Sequence, residues 1–207
     1  MPTERVHIVD DDSEIRGSLA FLLESEGLEV ACYDTPAALL QAVGPEDAGC
    51  LLLDVRLPGM DGLTLQSTLT GRGVALPIIF ISGHGDIPMA VEAVSAGALD
   101  FVEKPFNEAK LLERIHAALR QDREARQRTA GQDLLDQRLG RLTSRERQVM
   151  EGMLAGRLNK LIASDLGVSV RTVEIHRARV LDKLEARNAP ELVRLVLSSR
   201  AYRHWLL

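Results

Sequence analysis

Aromatic residues make up only 3% of the 207-residue chain, so any core it folds around must be aliphatic. Cysteine is scarce as well. Cys32 and Cys50 are the two present, too few for a disulfide framework, and they fit a reducing cytosol. Both lie in apolar, strand-like surroundings and are expected to be buried structural thiols. No run approaches the roughly 18 consecutive apolar residues needed to cross a bilayer. The opening Met1-Pro2-Thr3-Glu4-Arg5 lacks the apolar stretch of a secretion signal. A membrane-spanning protein and a disulfide-built secreted scaffold are thereby excluded, and a soluble, cytoplasmic protein is expected.

Aliphatic and charged residues are plentiful. Hydrophobic residues are 45% of the chain, enough for a packed core, and the length suits two domains better than one. The net charge of −5 conceals an asymmetry. Residues 1–120 carry 8 Lys+Arg against 19 Asp+Glu, whereas residues 121–207 carry 17 against 11. An acidic half joined to a basic half implies different partners: a cation for the first, nucleic acid for the second.

In the acidic half, apolar runs alternate with helical periodicity. Strand-like runs are Val6-His7-Ile8-Val9, Val30-Ala31-Cys32-Tyr33, Leu51-Leu52-Leu53-Asp54-Val55, Pro77-Ile78-Ile79-Phe80-Ile81-Ser82 and Leu99-Asp100-Phe101-Val102. Between and after them, apolar residues recur at helical spacing: Ile15, Leu19, Leu22 and Leu23; Leu39, Leu40 and Val43; Leu65 and Leu69; residues 88–96; Leu111, Leu112, Ile115 and Leu119. Five strands alternating with five helices predict an α/β, doubly wound, five-stranded parallel sheet covered on both faces. The run Leu51–Val55 carries one carboxylate near its end, Asp54, which is a metal ligand, a nucleophile or a cap for the next turn.

Parallel strands put their C-terminal ends on one edge, so Asp10, Asp11, Asp54, Ser82 and Lys104 are expected to converge there. Carboxylates held close together repel and are hard to ionise without a cation. An oxygen-rich site with room for water suits Mg²⁺, which would neutralise an incoming phosphoryl group and leave one carboxylate free to attack it. Ser82 can donate to one phosphoryl oxygen, and Lys104 supplies a point charge to another.

Those residues carry a resemblance. Val9-Asp10-Asp11, Asp54 with Pro58-Gly59-Met60-Asp61-Gly62, Ser82-Gly83-His84, Gly97-Ala98 and Lys104-Pro105-Phe106 together resemble the receiver domain of two-component response regulators over residues 4–120. The resemblance implies a flavodoxin-like fold with Asp54 as phosphoacceptor. It implies Mg²⁺ on Asp10, Asp11 and Asp54 with the backbone carbonyl of Arg56, Ser82 as the switch hydroxyl and Lys104 as the phosphate-binding lysine. Phe101 takes the place of the aromatic whose rotamer follows phosphorylation, and the Lys104–Pro105 bond is usually cis in that family. His84 is expected to be a structural or solvent-facing loop residue.

Residues 121–137 are polar and rich in Arg, Gln and Asp, and read as an extension of the preceding helix and a mobile or helical linker, with disorder around Thr129-Ala130-Gly131 as the alternative. Beyond it, Thr143 to Glu146 fits a capping box, opening a helix through Val149, Met150 and Met153. Asn159 is expected to cap a second helix, Ser169 a third after the turn Gly167-Val168-Ser169, and Pro190 begins a fourth. Two helices joined by a short glycine-containing turn suggest a helix-turn-helix in a small all-α, four-helix domain. The third helix is basic through Arg171, Arg177, Arg179 and Lys183, as a helix entering a major groove would be.

Leu142-Thr143-Ser144-Arg145-Glu146, Asn159-Lys160-Leu161-Ile162-Ala163, Leu166-Gly167-Val168-Ser169, Thr172-Val173, His176 and Lys183-Leu184 resemble the LuxR-type output domain over residues 138–203. The resemblance implies DNA contacts from Lys160, Arg171, Thr172, Glu174, His176, Arg177, Arg179 and Lys183. Glu174 and Ala178, where some relatives carry basic residues, resemble the FixJ-type branch. Glu174 accepts from a cytosine amino group or pairs with a neighbouring arginine; His176 packs or touches phosphate. The whole resembles a phosphorylation-controlled transcription factor rather than an enzyme. Its implied partners are a sensor histidine kinase, double-stranded promoter DNA, RNA polymerase and, on phosphorylation, a second copy of itself. A phosphatase would use Asp54 as nucleophile with a second acid two residues on, where this chain has Arg56.

Overall fold

The computed structural model describes residues 3–83, 87–199 and 201–202. These form two compact units, the first extending to Arg126 and the second beginning at Gln127.

The first unit alternates strand and helix: β1 (Glu4–Val9), α1 (Ser13–Ser25), β2 (Val30–Tyr33), α2 (Pro36–Ala42), β3 (Ala48–Asp54), α3 (Gly62–Gly71), β4 (Ile78–Ser82), α4 (Ile87–Ser95), β5 (Asp100–Glu103) and the first part of α5 (Glu108–Gly140), whose remainder belongs to the second unit. The strands form one parallel sheet in the order β2-β1-β3-β4-β5, the doubly wound arrangement expected. All of β3 is buried, and its side chains alternate between two cores. Leu51 and Leu53 join Leu39, Leu65, Leu69 and Ala93 under α2, α3 and α4. Cys50 and Leu52 join Leu19, Leu23, Leu111 and Ile115 under α1 and α5. The strand order reverses between β1 and β3, and ligand crevices of such sheets lie at the C-terminal ends beside that reversal.

Local chemistry starts the helices. Asp12, third of the aspartates, caps α1 by accepting from the N–H groups of Glu14 and Ile15. Thr35 caps α2 ahead of Pro36, and Asp61 caps α3. The two cysteines part company. Cys50 is buried, and burial pushes its thiol up to about 12. Cys32, expected to be buried, is exposed, because β2 is an edge strand with one face only partly covered.

Residues 121–137 lie within α5, which includes residues 129–131. Two ends of that stretch are anchored by packing. Asp122, 3% exposed, accepts from the Gly49 N–H at 2.9 Å and from Arg126 Nε at 2.8 Å. Leu135 and Leu139 are buried in the core of the second unit.

That second unit packs α6 (Ser144–Leu154), α7 (Asn159–Leu166), α8 (Val170–Lys183) and α9 (Ala189–Ser198) around Val149, Met150, Ile162, Val173, Val180, Leu184, Leu192 and Val196. The expected capping box is present: Thr143 and Glu146 bond reciprocally at the start of α6. Ser169 caps α8, and Asn188 caps α9. Gly167 closes α7 with φ 66°, a left-handed conformation glycine adopts without strain. Asn159 is not a cap: Leu158 holds that position with no side-chain bond, and Asn159 is the first helical residue. No helix among the described residues is long and apolar enough to cross a membrane.

Candidate functional site: an acidic pocket and a basic helix face

The register brings the acidic residues level. Val9 pairs with Leu53, and Asp54 with Ile81, so Asp10 and Asp54 stand side by side one step beyond. Lys104 joins them from beyond β5. Its Nζ donates to Asp10 Oδ2 at 2.8 Å and to Asp54 Oδ1 at 3.0 Å. Its backbone N–H donates to the Ser82 carbonyl at 2.7 Å, which fixes the lysine beside the end of β4. The Lys104–Pro105 peptide is cis. The second oxygen of each carboxylate accepts from the backbone: Asp10 Oδ1 from the Asp12 N–H at 2.9 Å, Asp54 Oδ2 from the Arg56 N–H at 2.7 Å.

Asp10 is 3% exposed and Asp54 9%. Burial raises the Asp54 carboxyl above its ordinary value, opposed by the bonds from Lys104 and the Arg56 N–H and assisted by the charge of Asp10. Burial by itself would lower the Lys104 ammonium; its bonds to both aspartates overcome that and hold it above its usual value. One ammonium thus bridges two adjacent carboxylates.

Asp11 departs from the expected convergence. It is exposed and makes no hydrogen bond or ion pair among the described residues, and those residues contain no metal-type cluster of three or more acidic, histidine or cysteine side chains. Charge repulsion explains the split: Lys104 draws two carboxylates together, and the third faces water. The donor set still fits Mg²⁺ chemically. Asp10 and Asp54 present hard oxygens at the sheet edge, and Asp11 is an unengaged carboxylate adjoining them in sequence, as suits a cation that keeps several waters.

Ser82 is buried at 3% exposure at the end of β4. Phe101 is half-buried on β5, its ring tilted against Phe80 with centroids 6.5 Å apart. Arg56 is exposed. His84 lies outside the described residues. Two positions that matter here were not legible as site residues. A Cβ on Gly62 would stand 2.7 Å from the Asp54 carbonyl oxygen and 2.8 Å from Phe80, so only glycine lets α3 begin this close to Asp54. Arg16 Nη1 donates to the Asp10 carbonyl at 2.7 Å; the sole signal was its place one helical turn past the aspartates.

In the second unit, Arg171, Glu174, Ile175, Ala178 and Arg179 are exposed along one side of α8, at the spacing of three and four that shares a helix face. Arg171 and Arg179 make no ion pair or hydrogen bond among the described residues, nor do Lys160 on α7 and the half-buried Arg177. Glu174 likewise has no arginine partner among the described residues. Thr172 is tied into the cap, its Oγ1 2.8 Å from Ser169 Oγ. His176 is half-buried, with Nδ1 enclosed and without a hydrogen-bond partner among the described residues.

Lys183 is the exception among the expected DNA contacts. Its ammonium donates to buried Glu146 at 2.6 Å and to the Arg141 carbonyl at 3.1 Å. It sits in the last turn of α8, where the helix turns that side chain toward α6 rather than outward.

Comparisons with known proteins bear on both units. A family model described as response regulator receiver domain matches residues 6–116, and one described as bacterial regulatory proteins, luxR family, matches residues 140–196. The transcriptional regulatory protein FixJ of Azorhizobium caulinodans is 47% identical over 192 residues, 93% of this chain and 91% of that protein. FixJ of Bradyrhizobium diazoefficiens is 43% identical over 93% of this chain and 94% of its own length. Among solved structures, the response regulator StyR matches with a TM-score of 0.87 at 44% identity, over 94% of this chain and 98% of that one. Full-length FixJ from B. japonicum matches with a TM-score of 0.59 at 42% identity, over 96% and 98%.

Proposed function

Because the chain belongs to the FixJ-like response regulators, phosphorylation-dependent transcriptional regulators that join a receiver domain to a LuxR-type DNA-binding domain, we propose that Asp54 is its phosphoacceptor. The observation that carries this is the single ammonium of Lys104 shared by Asp10 and Asp54 at the sheet edge. Asp10, Asp11 and Asp54, with the backbone carbonyl of Arg56, would hold Mg²⁺. The ion would supply charge neutralisation for phosphoryl oxygens.

The donor is a sensor histidine kinase. A carboxylate oxygen of Asp54 attacks phosphorus; the new P–O bond forms as the donor's P–N bond breaks. Lys104, already held charged beside Asp54, shifts onto a phosphoryl oxygen and meets the added charge of about −1.5 to −2. Ser82 donates to another oxygen, and Phe101 follows inward. The face made by α4, β5 and α5 then pairs with a second copy or releases the output domain; Val91 and Val94 of α4, 60% and 52% exposed, suit a protein contact. The dimer reads a two-fold promoter site in double-stranded DNA and engages RNA polymerase, all in the cytoplasm. On the reader, Arg171, Arg177, Arg179 and Lys160 supply mainly phosphate contacts, and Thr172 and His176 further backbone contacts. Glu174 accepts from a base edge.

Asp54→Asn tests this reading. Under kinase and Mg²⁺, the wild-type chain should gain one phosphoryl group, dimerise and activate its promoter, and the variant should do none of these. Equal dimerisation and activation by the variant would defeat the assignment.

A further inference from the structure

We propose that Arg16 is a positioning residue for the acidic pocket, holding the Asp10–Asp11 peptide so that both carboxylates are presented to a divalent cation. The proposal rests on the reading of that pocket given above.

The sheet ladder runs out where the pocket begins. Val9 is the last residue of β1 with partners on both sides, Tyr33 and Leu53. The Asp10 N–H keeps only a long bond, 3.4 Å, to the Tyr33 carbonyl. A buried carbonyl left without a donor is costly, and β1 offers none at this point. Arg16 fills the gap from the first turn of α1, with Nη1 2.7 Å from the Asp10 carbonyl oxygen.

The choice of partner is informative. A guanidinium beside three consecutive aspartates would ordinarily pair with a carboxylate, yet Arg16 makes no ion pair among the described residues. Its bond goes to the backbone and so leaves the side-chain oxygens of Asp10 and Asp11 unoccupied by the guanidinium. That carbonyl belongs to the peptide linking Asp10 to Asp11, and fixing its plane sets the direction from which both side chains leave the chain. Arg16 is itself anchored: its N–H donates to the Asp12 carbonyl at 3.0 Å, and the Asp12 carboxylate caps the same helix. Asp11, which has no other partner among the described residues, depends on this clamp for its placement.

The proposal predicts an order of Mg²⁺ affinities in the full-length chain: wild type tightest, then Arg16→Lys, then Arg16→Met. Groups that orient metal-binding carboxylates typically matter by tenfold or more, so Arg16→Met should bind Mg²⁺ about tenfold more weakly. Arg16→Lys keeps the charge without the planar fork and should fall between. Affinity is read from the shifts of the Asp10, Asp11 and Asp12 amide resonances on titration with Mg²⁺. As a second readout, phosphorylation by acetyl phosphate should be slowed in Arg16→Met at low Mg²⁺ and recover at high Mg²⁺.

A guanidinium acting through its charge alone would repel the cation, and its removal would tighten binding. A folded Arg16→Met with equal or tighter Mg²⁺ affinity therefore overturns the proposal. Should that variant not fold, Arg16→Lys with wild-type affinity overturns it equally. Wild-type protein that takes up neither Mg²⁺ nor a phosphoryl group overturns the pocket reading and this proposal together. Wild type that takes up both, with the variants unchanged, overturns the role of Arg16 alone.

Discussion

Replacing Lys183 with Met separates two roles that a basic residue on α8 can have. Glu146, Lys183's partner, is 2% exposed, and its carboxyl is drawn from 4.5 down to about 2, first by the Lys183 ammonium and then by the Thr143 N–H. At about 1.4 kcal/mol per pH unit, that fall corresponds to roughly 3 kcal/mol. Thr143 accounts for part of it and survives the substitution, and the Lys183 side chain is 32% exposed, so solvent screens the pair. Lys183→Met keeps the apolar stem and should cost the second unit about 1.5 kcal/mol. The dependence on pH has a definite sign. The carboxyl is depressed in the folded state, so its contribution is full above pH 4.5 and is lost as pH falls from 4.5 toward 2; in Lys183→Met that acid loss shrinks. Urea unfolding of the full chain, read through hydrogen exchange of α6 and α8 amides, measures the first effect. Fluorescence anisotropy on a promoter duplex across a salt series measures the second. Arg179→Met should flatten the slope of log affinity against log salt by about 0.9, one phosphate's worth, and Lys183→Met should leave it unchanged. A slope flattened by about 0.9 in Lys183→Met, with unfolding unaltered, would place the ammonium on DNA and refute the reasoning.

Two further predictions concern the first unit. Gly49 has φ +134°, and a Cβ there would stand 1.8 Å from the Arg5 carbonyl oxygen, so Gly49→Ala should cost more than about 3 kcal/mol and leave little folded receiver; a circular-dichroism melt matching wild type would contradict this. His7 is 2% exposed, stacked on Tyr33 with Nδ1 3.1 Å from its hydroxyl, and burial lowers its pKa below 6.5. A base depressed in the fold binds fewer protons there than when unfolded, so stability should fall as pH drops below 6.5. His7→Phe should lessen the change in melting temperature between about pH 7 and about pH 5, and an identical pH profile would count against the assignment.

The acidic pocket was legible because strand ends in a parallel sheet converge whatever the side-chain detail. The run from Leu51 to Asp54 and the five-fold alternation suffice to bring Asp10, Asp54, Ser82 and Lys104 to one edge. What that edge does with three carboxylates was not legible. Lys104 holds two and Asp11 turns to water, an outcome set by where one ammonium reaches. Arg16 escaped notice because its partner is a carbonyl, and backbone acceptors leave no trace in residue type. Cys32 shows the same limit from another side: apolar neighbours in sequence say strand, and only strand order says edge.

Periodicity, caps and turn residues act over a few positions, so Thr143 with Glu146, Ser169 and Gly167 could be assigned from the chain alone, along with the alternation that specifies a parallel sheet. Lys183 could not. Its charge and helical position were plain, but an ammonium goes to the nearest buried carboxylate, and the distance to Glu146, 37 residues earlier, exists only after α6 and α8 have packed. Long-range electrostatic pairing is a property of the folded surface. Local sequence names the charges, and packing alone chooses their partners.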